Sequence, residues 1–497
     1  MSLDFIRNFP FFSIVIAMFS GILCSVLDGK KARRFTVCIL GIISMLSLAL
    51  CIYINSQTES FVYMMGHFPA PWGNEIRAGM LEAMLSFIFS SILLFALAGG
   101  WENIFHDVTP AKQNYYFVMI NLLMSSLLAL IYTNDIFTAY VFVEINTIAA
   151  CGLIMLRQNG HTIVAATRYL ITSVVGSGLL LFGIIFLYSI TGHLLFPNIH
   201  EELSKLYLQG TYSVPLTVVI GLIVVGLAIK SALFPFSAWV PDAYGYATTA
   251  SGAILSGLVS KGYIVLLIKI FYRVIGTDII KNSRVIDVLF VFGIAGMIMG
   301  SINAIAENDI RRMIAYSSVA QIGYIYMGIG MGTKAGMIAA VWHILSHAAT
   351  KPLLFVSAAG LSAVSGESKR FHDLQGAAHR NPVAGIGFAI GALSMVGIPL
   401  FSGFISKILF ATASVRLGQR MWITMFALAI STILNAMYFL RTVIRIYMPE
   451  NKEYNNSVKN QKAFVISVSF FVILNIVLGC SSQPVTDLIL KGLLMLE

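Results

Sequence analysis

The sequence predicts an all-α polytopic membrane protein with about fourteen transmembrane helices. Three observations predict it. Of 497 residues, 58% are hydrophobic and 11% charged, and the mean hydropathy is +0.85, far outside the range of a soluble domain. Apolar stretches near the roughly 20 residues that a spanning helix needs recur with centres close to residues 18, 44, 90, 124, 146, 178, 224, 260, 295, 322, 347, 398, 433 and 472. The longest polar stretches, 362–382 and 448–462, are loops too short to hold a cofactor-binding domain.

Along the chain, the first segment runs straight into "DGKKARR" without a small-residue cleavage site, so it is expected to be a retained helix rather than a signal peptide. Residues 1–110 carry the first three helices, 111–273 the fourth to eighth, 274–447 the ninth to thirteenth, and 448–497 a cytoplasmic loop and the fourteenth. With the N-terminus outside, the loops that fall inside carry about 17 Lys and Arg against about 10 outside, so the positive-inside rule puts both termini outside. This loop bias and the buried lysines account for the net charge of +10, and no nucleic-acid partner is expected. Cys24, Cys38, Cys51, Cys151 and Cys480 lie in or beside apolar segments without metal-site spacing and read as packing residues.

A Lys or Glu at the centre of a spanning helix costs about 2.5–3.5 kcal/mol, so such residues usually line a polar pathway or pair with one another. Glu144 lies about ten residues into the fifth span, "FTAYVFVEINTIAACGLIML". Lys230 ends the apolar run of the seventh, five residues before Pro235, a proline that would free helix carbonyls at depth. Lys261 is central in "GAILSGLVSKGYIVLLIKI", while Lys269, near the end of that span, reads mainly as a snorkelling lysine. "HILSHAATKPLLF" puts His343, His347 and Lys351 four residues apart on one helix face, where Lys351 either continues the line or snorkels. Lys407 belongs to a second interrupted span, broken by Gly397, Pro399 and Gly403.

Two broken helices, one in each half and each with a lysine near the break, are what a transporter built from inverted repeats shows. "NDIFTAY" at the start of the fifth span, with Asp135, is echoed by "NDIRRMIAY" at the tenth, though a shared Asn-Asp is also a common helix cap. Lysine at low dielectric and histidine both exchange protons near working pH, which suits a proton relay. The His343/His347 pair reads as proton transfer or as structural hydrogen bonding; a metal site lacks a third ligand. Primary candidates are Glu144, Lys230, Lys261, His343, His347 and Lys407, with Lys351, Lys269 and Asp135 secondary.

The stretches "SALFPFSAWVPDAY", "ENDIRRMIAYSSVAQIGYI", "HILSHAATKPLLF" and "GIPLFSGFISKILF", with the fourteen-span layout, resemble the antiporter-like subunits shared by respiratory complex I, Mrp-type sodium/proton antiporters and membrane-bound energy-converting hydrogenases. The resemblance implies two inverted five-helix repeats, broken seventh and twelfth helices, and a proton half-channel in each repeat. By position, the family's fifth-helix glutamate falls on Glu144, its seventh- and eighth-helix lysines on Lys230 and Lys261, its eleventh-helix histidine on His343 or His347, and its twelfth-helix ionisable residue on Lys407. Lysine at 407 disfavours the complex I subunit with an acid there, and the short tail after the fourteenth span disfavours the family's largest members. The segment "YMMGHFPAPWGNEIRAGMLEAML" resembles the D-type subunits of Mrp antiporters and their hydrogenase counterparts, whereas "TTA" at Thr248, Thr249 and Ala250 departs from the family's Pro-Thr-Pro.

The expected function is therefore that of a proton-translocating subunit in a multi-subunit complex of a bacterial or archaeal cytoplasmic membrane, an Mrp-type antiporter D-like subunit or an ion-pumping membrane-bound hydrogenase subunit, with a complex I membrane-arm subunit as the alternative. No cofactor is expected in this chain. Expected partners are other membrane subunits, further antiporter-like subunits among them; iron–sulfur or flavin subunits are candidates, and protons, with Na+ second, are the ions. The competing readings are a stand-alone cation/proton carrier, a polytopic membrane enzyme, whose catalytic groups would cluster at the surface, and a purely structural subunit.

Overall fold

The computed structural model describes residues 3–68, 73–449 and 461–497. Most of the 448–462 loop, and residues 69–72 of the segment likened to the D-type Mrp subunits, lie outside the described residues. The spanning helices are labelled α1 (Phe9–Val26), α2 (Gly29–Asn55), α3 (Met80–Asp107), α4 (Gln113–Tyr132), α5 (Ile136–Met155) and α6 (Gly160–Thr191). Next come α7, in two pieces (α7a, Ser213–Ser231; α7b, Val240–Tyr246), α8 (Thr249–Ile275), α9 (Val285–Ala306), α10 (Ile310–Gly330) and α11 (Lys334–Ala363). The series ends with α12, again in two pieces (α12a, Pro382–Val396; α12b, Ser402–Ser414), α13 (Gln419–Tyr447) and α14 (Lys462–Cys480).

Among the described residues, twelve helices are long and apolar enough to cross a membrane. The other two expected spans have physical reasons for falling short. α10 begins with Arg311 and Arg312 and carries buried hydroxyl and amide side chains, so its hydropathy is low. α12 is split, and each piece is too short alone. Of the twelve, α8 and α11 are the least exposed: 100% and 94% of their apolar windows are buried inside the protein. These two helices carry Lys261, His343, His347 and Lys351, so the costliest side chains sit where protein rather than lipid surrounds them.

Both breaks end their first piece in the same way. Ala232 (φ +66°) donates its N–H to the Ala228 and Ile229 carbonyls, and Leu233 donates to Ala228. Gly397 (φ +90°) donates to the Leu393 and Ser394 carbonyls, and Ile398 donates to Leu393. A left-handed residue closing the last turn is the common helix C-terminal motif, but here it stops a helix inside the bundle. α8 is also irregular, with π-helical turns at Leu255–Val259 and Phe271–Ile275, a distortion frequent at functional sites.

The Asn-Asp-Ile echo has a backbone counterpart. Ile136 N–H donates to the Leu194 carbonyl at 2.9 Å and Phe196 N–H to Asn134; Ile310 N–H donates to the Lys369 carbonyl at 2.9 Å and Phe371 N–H to Asn308. The segment preceding each broken helix is thus pinned to the start of the span two helices earlier. Asp135 and Asp309 cap α5 and α10 through backbone N–H groups.

One face of the bundle carries the hairpin of β1 (Phe61–Met64) and β2 (Glu75–Ala78) and the amphipathic helix Ser482–Leu496, which buries Ile489, Gly492, Leu493 and Leu496. Arg7 lies over the Phe61 ring and Glu497 pairs with Lys334 at 2.8 Å, so both ends of the described chain sit on this hairpin face. On the opposite face, three cations from three elements meet the C-terminal carbonyls of α7b: Arg311 at Ala247 (2.6 Å), Arg157 at Tyr246 (3.0 Å) and Lys369 at Gly245 (3.5 Å). This is the favourable end of a helix dipole for positive charge.

Lys369 lies in the loop after α11, and its amine is pulled down to about 7, first by desolvation and then by Arg311 and Arg157. The folded site holds fewer protons than the unfolded chain between that value and the ordinary lysine range, so stability from this group rises as pH climbs from about 7 towards 10. Lys369→Met is expected to flatten the rise of the thermal midpoint over that interval, measured by fluorescence in detergent.

Candidate functional site

α5 positions Glu144 beside the end of α7a. Lys230 Nζ lies 3.4 Å from Glu144 Oε1 and donates to Thr147 Oγ1 at 2.7 Å, while Ser177 on α6 donates to the same carboxylate. Lys230 is fully buried, whereas the Glu144 side chain is 30% exposed. The Tyr263 ring of α8 stands 5.6 Å from Lys230 Nζ, and its hydroxyl is 3.4 Å from Thr147. Tyr263 is two residues beyond Lys261, so it brings the Glu144/Lys230 pair up to α8.

Lys261 is wholly buried and donates to the Ser256 carbonyl within the first π-helical turn of its own helix. His347 lies within electrostatic reach of Lys261, Lys351 and His343, and His343 within reach of Lys407 as well. The two imidazoles are 6.1 Å apart and nearly parallel, and His343 stacks on Tyr324 at 5.2 Å. His343 Nδ1 meets Ser406 Oγ of α12b at 2.6 Å, one residue from Lys407. Lys407 folds back over the α12 break, donating to the Val396 carbonyl at 2.5 Å and to Thr432 Oγ1 at 2.8 Å. A Cβ at Gly397 would lie 2.8 Å from the Lys407 side chain, so the break needs glycine for space as well as for its positive φ.

All six primary candidates thus fall in one row running through α5, α7a, α8, α11 and α12b. The secondary candidates divide. Lys351 does not snorkel: it is buried and donates to the Ile314 carbonyl at 3.0 Å and to Ser317 on α10. Lys269 does not snorkel either. It donates to the carbonyls of Ile131 (2.5 Å) and Thr133 (2.7 Å) and lies 3.9 Å from Glu82 Oε1, because the C-terminal turn of α8 is covered by protein and not by headgroups. Asp135 stands away from the row on the hairpin face, where it caps α5 by accepting from Thr138 N–H at 2.6 Å.

Several polar residues at the row were not legible in the sequence. Thr147, Ser177, Tyr263, Ser256, Ser406 and Thr432 carry no charge and are common in membrane helices, so only their contacts mark them. Both imidazole nitrogens of His347, Nε2 of His343, the amide of Asn146 and Nε2 of Gln321 are buried with no hydrogen-bond partner among the described residues. Each such atom costs about 1–3 kcal/mol unless water or a partner meets it. No group of three or more His, Cys, Asp or Glu side chains suited to a metal converges among the described residues.

The pattern of the NADH:quinone oxidoreductase/Mrp antiporter transmembrane family matches residues 133–434, which contain the whole row. The chain belongs to this family. It is 35% identical over 395 residues to an NADH-quinone oxidoreductase subunit N of Desulforudis audaxviator, covering 78% of this chain and 76% of that one. It is 26% identical over 442 residues to the D-type subunit of a Na(+)/H(+) antiporter of Alkalihalophilus pseudofirmus, covering 88% and 86%. Its fold matches a chain in the structure of a membrane-bound sulfane sulfur reductase, an archaeal respiratory complex, with a TM-score of 0.88, 24% identity and coverage of 99% and 98%. The protein is an antiporter-like, multi-pass membrane subunit of this family.

Proposed function

We propose that this chain moves protons across a bacterial or archaeal cytoplasmic membrane along the row Glu144, Lys230, Lys261, His347, His343 and Lys407. The observation that carries the reading is the buried row itself, which starts in an ion pair of 3.4 Å and crosses α8 and α11, whose apolar windows are 100% and 94% buried. A carboxylate beside a lysine holds it charged, and withdrawing the carboxylate expels the proton to the next group. The unpartnered atoms of Asn146, His347 and His343 offer donors and acceptors for bridging water between the ionisable groups.

The repeats are 111–273 and 274–447, supported by the matched helix breaks and Asn-Asp-Ile bridges. Five spans each, an odd number, would give the second the opposite orientation. The hairpin face is the outer one, in keeping with the Lys and Arg count, which leaves both termini outside.

The chain works beside other membrane subunits. Glu144, 30% exposed, shares a helix face with the exposed Phe137, Val141 and Ile148, and a carboxylate at that depth calls for a protein neighbour rather than lipid. The similarity to an oxidoreductase subunit favours a redox-driven assembly with iron–sulfur or flavin subunits elsewhere, and the similarity to an antiporter subunit favours exchange of H+ for Na+. The chain itself supplies ion movement and no redox centre.

The test is to purify the assembly in mild detergent, record its visible spectrum and metal content, and measure proton transport in proteoliposomes. Absorbance from iron–sulfur or flavin groups marks the redox-driven machine, and a colourless assembly of membrane subunits marks the antiporter. His343→Ala and His347→Ala, singly and together, are expected to lower proton transport at least about 10-fold, with about 10²–10⁴-fold the usual cost of losing a proton-transfer group outright. Unchanged transport in the double variant would return that face to packing.

A further inference from the structure

Beyond the row, the hairpin face contains a second buried cluster of ionisable groups. Glu82, three residues into α3, accepts from Arg77 Nη1 at 2.7 Å and, through its other oxygen, from Gly79 N–H at 3.1 Å. Lys269 Nζ lies 3.9 Å from the same Glu82 Oε1. The side chains of Arg77, Glu82 and Lys269 are each 1% exposed. Arg77 also donates to the Met495 carbonyl of the C-terminal helix, and Arg273 Nη2 meets Asn134 Oδ1 at 3.4 Å, with Asn134 in turn on Glu75.

Two features set this cluster apart from a helix-capping contact. Its cations outnumber its one fully buried carboxylate, and arginine is effectively always protonated, so Lys269 is the only cation there able to give up a proton. It also lies on the same helix as Lys261, eight residues on, or about 12 Å along the axis towards the hairpin face.

We infer that Lys269 and Glu82 form the release station through which a proton leaving Lys261 reaches the hairpin face. The inference rests on the proton-transport reading above. The Lys269 ammonium passes its proton to the Glu82 carboxylate, and the Glu82 carboxylic acid releases it to water beneath the hairpin. The neutral Lys269 amine left behind then takes a proton from Lys261 through bridging water. One proton enters and one leaves, and each group returns to its starting state. Arg77 and Gly79 N–H hold the carboxylate in place, acting as positioning groups.

The decisive variant is Lys269→Arg in the whole assembly, reconstituted in proteoliposomes beside wild type and Lys261→Ala. Arginine keeps the charge and can still donate to the Ile131 and Thr133 carbonyls, but cannot shed a proton. The expected result is an assembly with unchanged subunit content and thermal midpoint whose proton transport is at least 10-fold slower. Wild-type transport by Lys269→Arg, with transport lost in Lys261→Ala, overturns the release station alone; transport retained in Lys261→Ala overturns the row itself. Should Lys269→Arg fail to assemble, Glu82→Gln decides, with subunit content checked in the same preparation: glutamine keeps one oxygen, enough for Arg77 or for Gly79 but not for both, and cannot carry the proton. Transport at least 10-fold slower supports the station, and an unchanged rate overturns it.

Discussion

Lys261→Ala is expected to reduce proton transport at least about 100-fold while the assembly still inserts and keeps its subunits. The expected size follows from the geometry, because Lys261 stands between the Glu144/Lys230 pair and the histidines, within electrostatic reach of both imidazoles. Losing a group that must accept and give a proton typically costs 10²–10⁴-fold. Stability moves in two opposing directions. Removing an ionisable group at mid-membrane relieves about 2.5–3.5 kcal/mol of insertion cost. The Ser256 carbonyl loses a donor, a loss of about 1–3 kcal/mol if nothing replaces it. The two nearly cancel, so a transport defect would not be a folding defect in disguise. Lys261→Met, which fills more of the space, should be equally inactive; proton uptake by proteoliposomes, with subunit stoichiometry from the same preparation, checks both. Wild-type transport in either variant would remove Lys261 from the route.

Glu144→Gln is the second large effect. It leaves Lys230, fully buried, without its counter-ion at 3.4 Å and with only neutral contacts, the glutamine carbonyl, the Thr147 hydroxyl and the Tyr263 ring. Breaking one side of a buried pair costs about 3–5 kcal/mol, because the other charge remains in low dielectric. Transport should fall at least about 10-fold, and the thermal midpoint should drop at a pH where Lys230 carries charge. Adding Lys230→Gln removes the orphaned cation and should restore the midpoint without restoring transport. That split separates the structural role of the pair from its proton-carrying role. If the double variant recovers both, or the single variant loses neither, the pair is not part of the path.

The two secondary lysines show where reading the sequence reached its limit. Lys269 lies six residues from the end of its span, a position at which a lysine ordinarily reaches the headgroups, yet α3, α4 and the hairpin close over it. Lys351 lies four residues beyond His347, in register to continue the row, but reaches sideways to Ser317 on α10. Nothing in the local sequence distinguishes these outcomes, because each depends on which neighbour occupies the space.

The sequence by itself determined the fold class, the order of the helices and both helix breaks, and it singled out the six ionisable residues that pack into one row. These follow from local physics: a run of apolar residues must cross the bilayer as a helix, a proline or glycine interrupts it, and an ionisable residue within such a run is too costly to be accidental. Only the tertiary structure decided which of these charges meet, that Glu144 stays partly open while Lys230 is closed, and that uncharged side chains such as Thr147, Ser406 and Thr432 hold the row together. It also brought Arg77, Glu82 and Lys269 to one buried point. Contacts between distant helices depend on packing geometry, and a neutral hydroxyl carries no insertion cost large enough to mark it in a sequence.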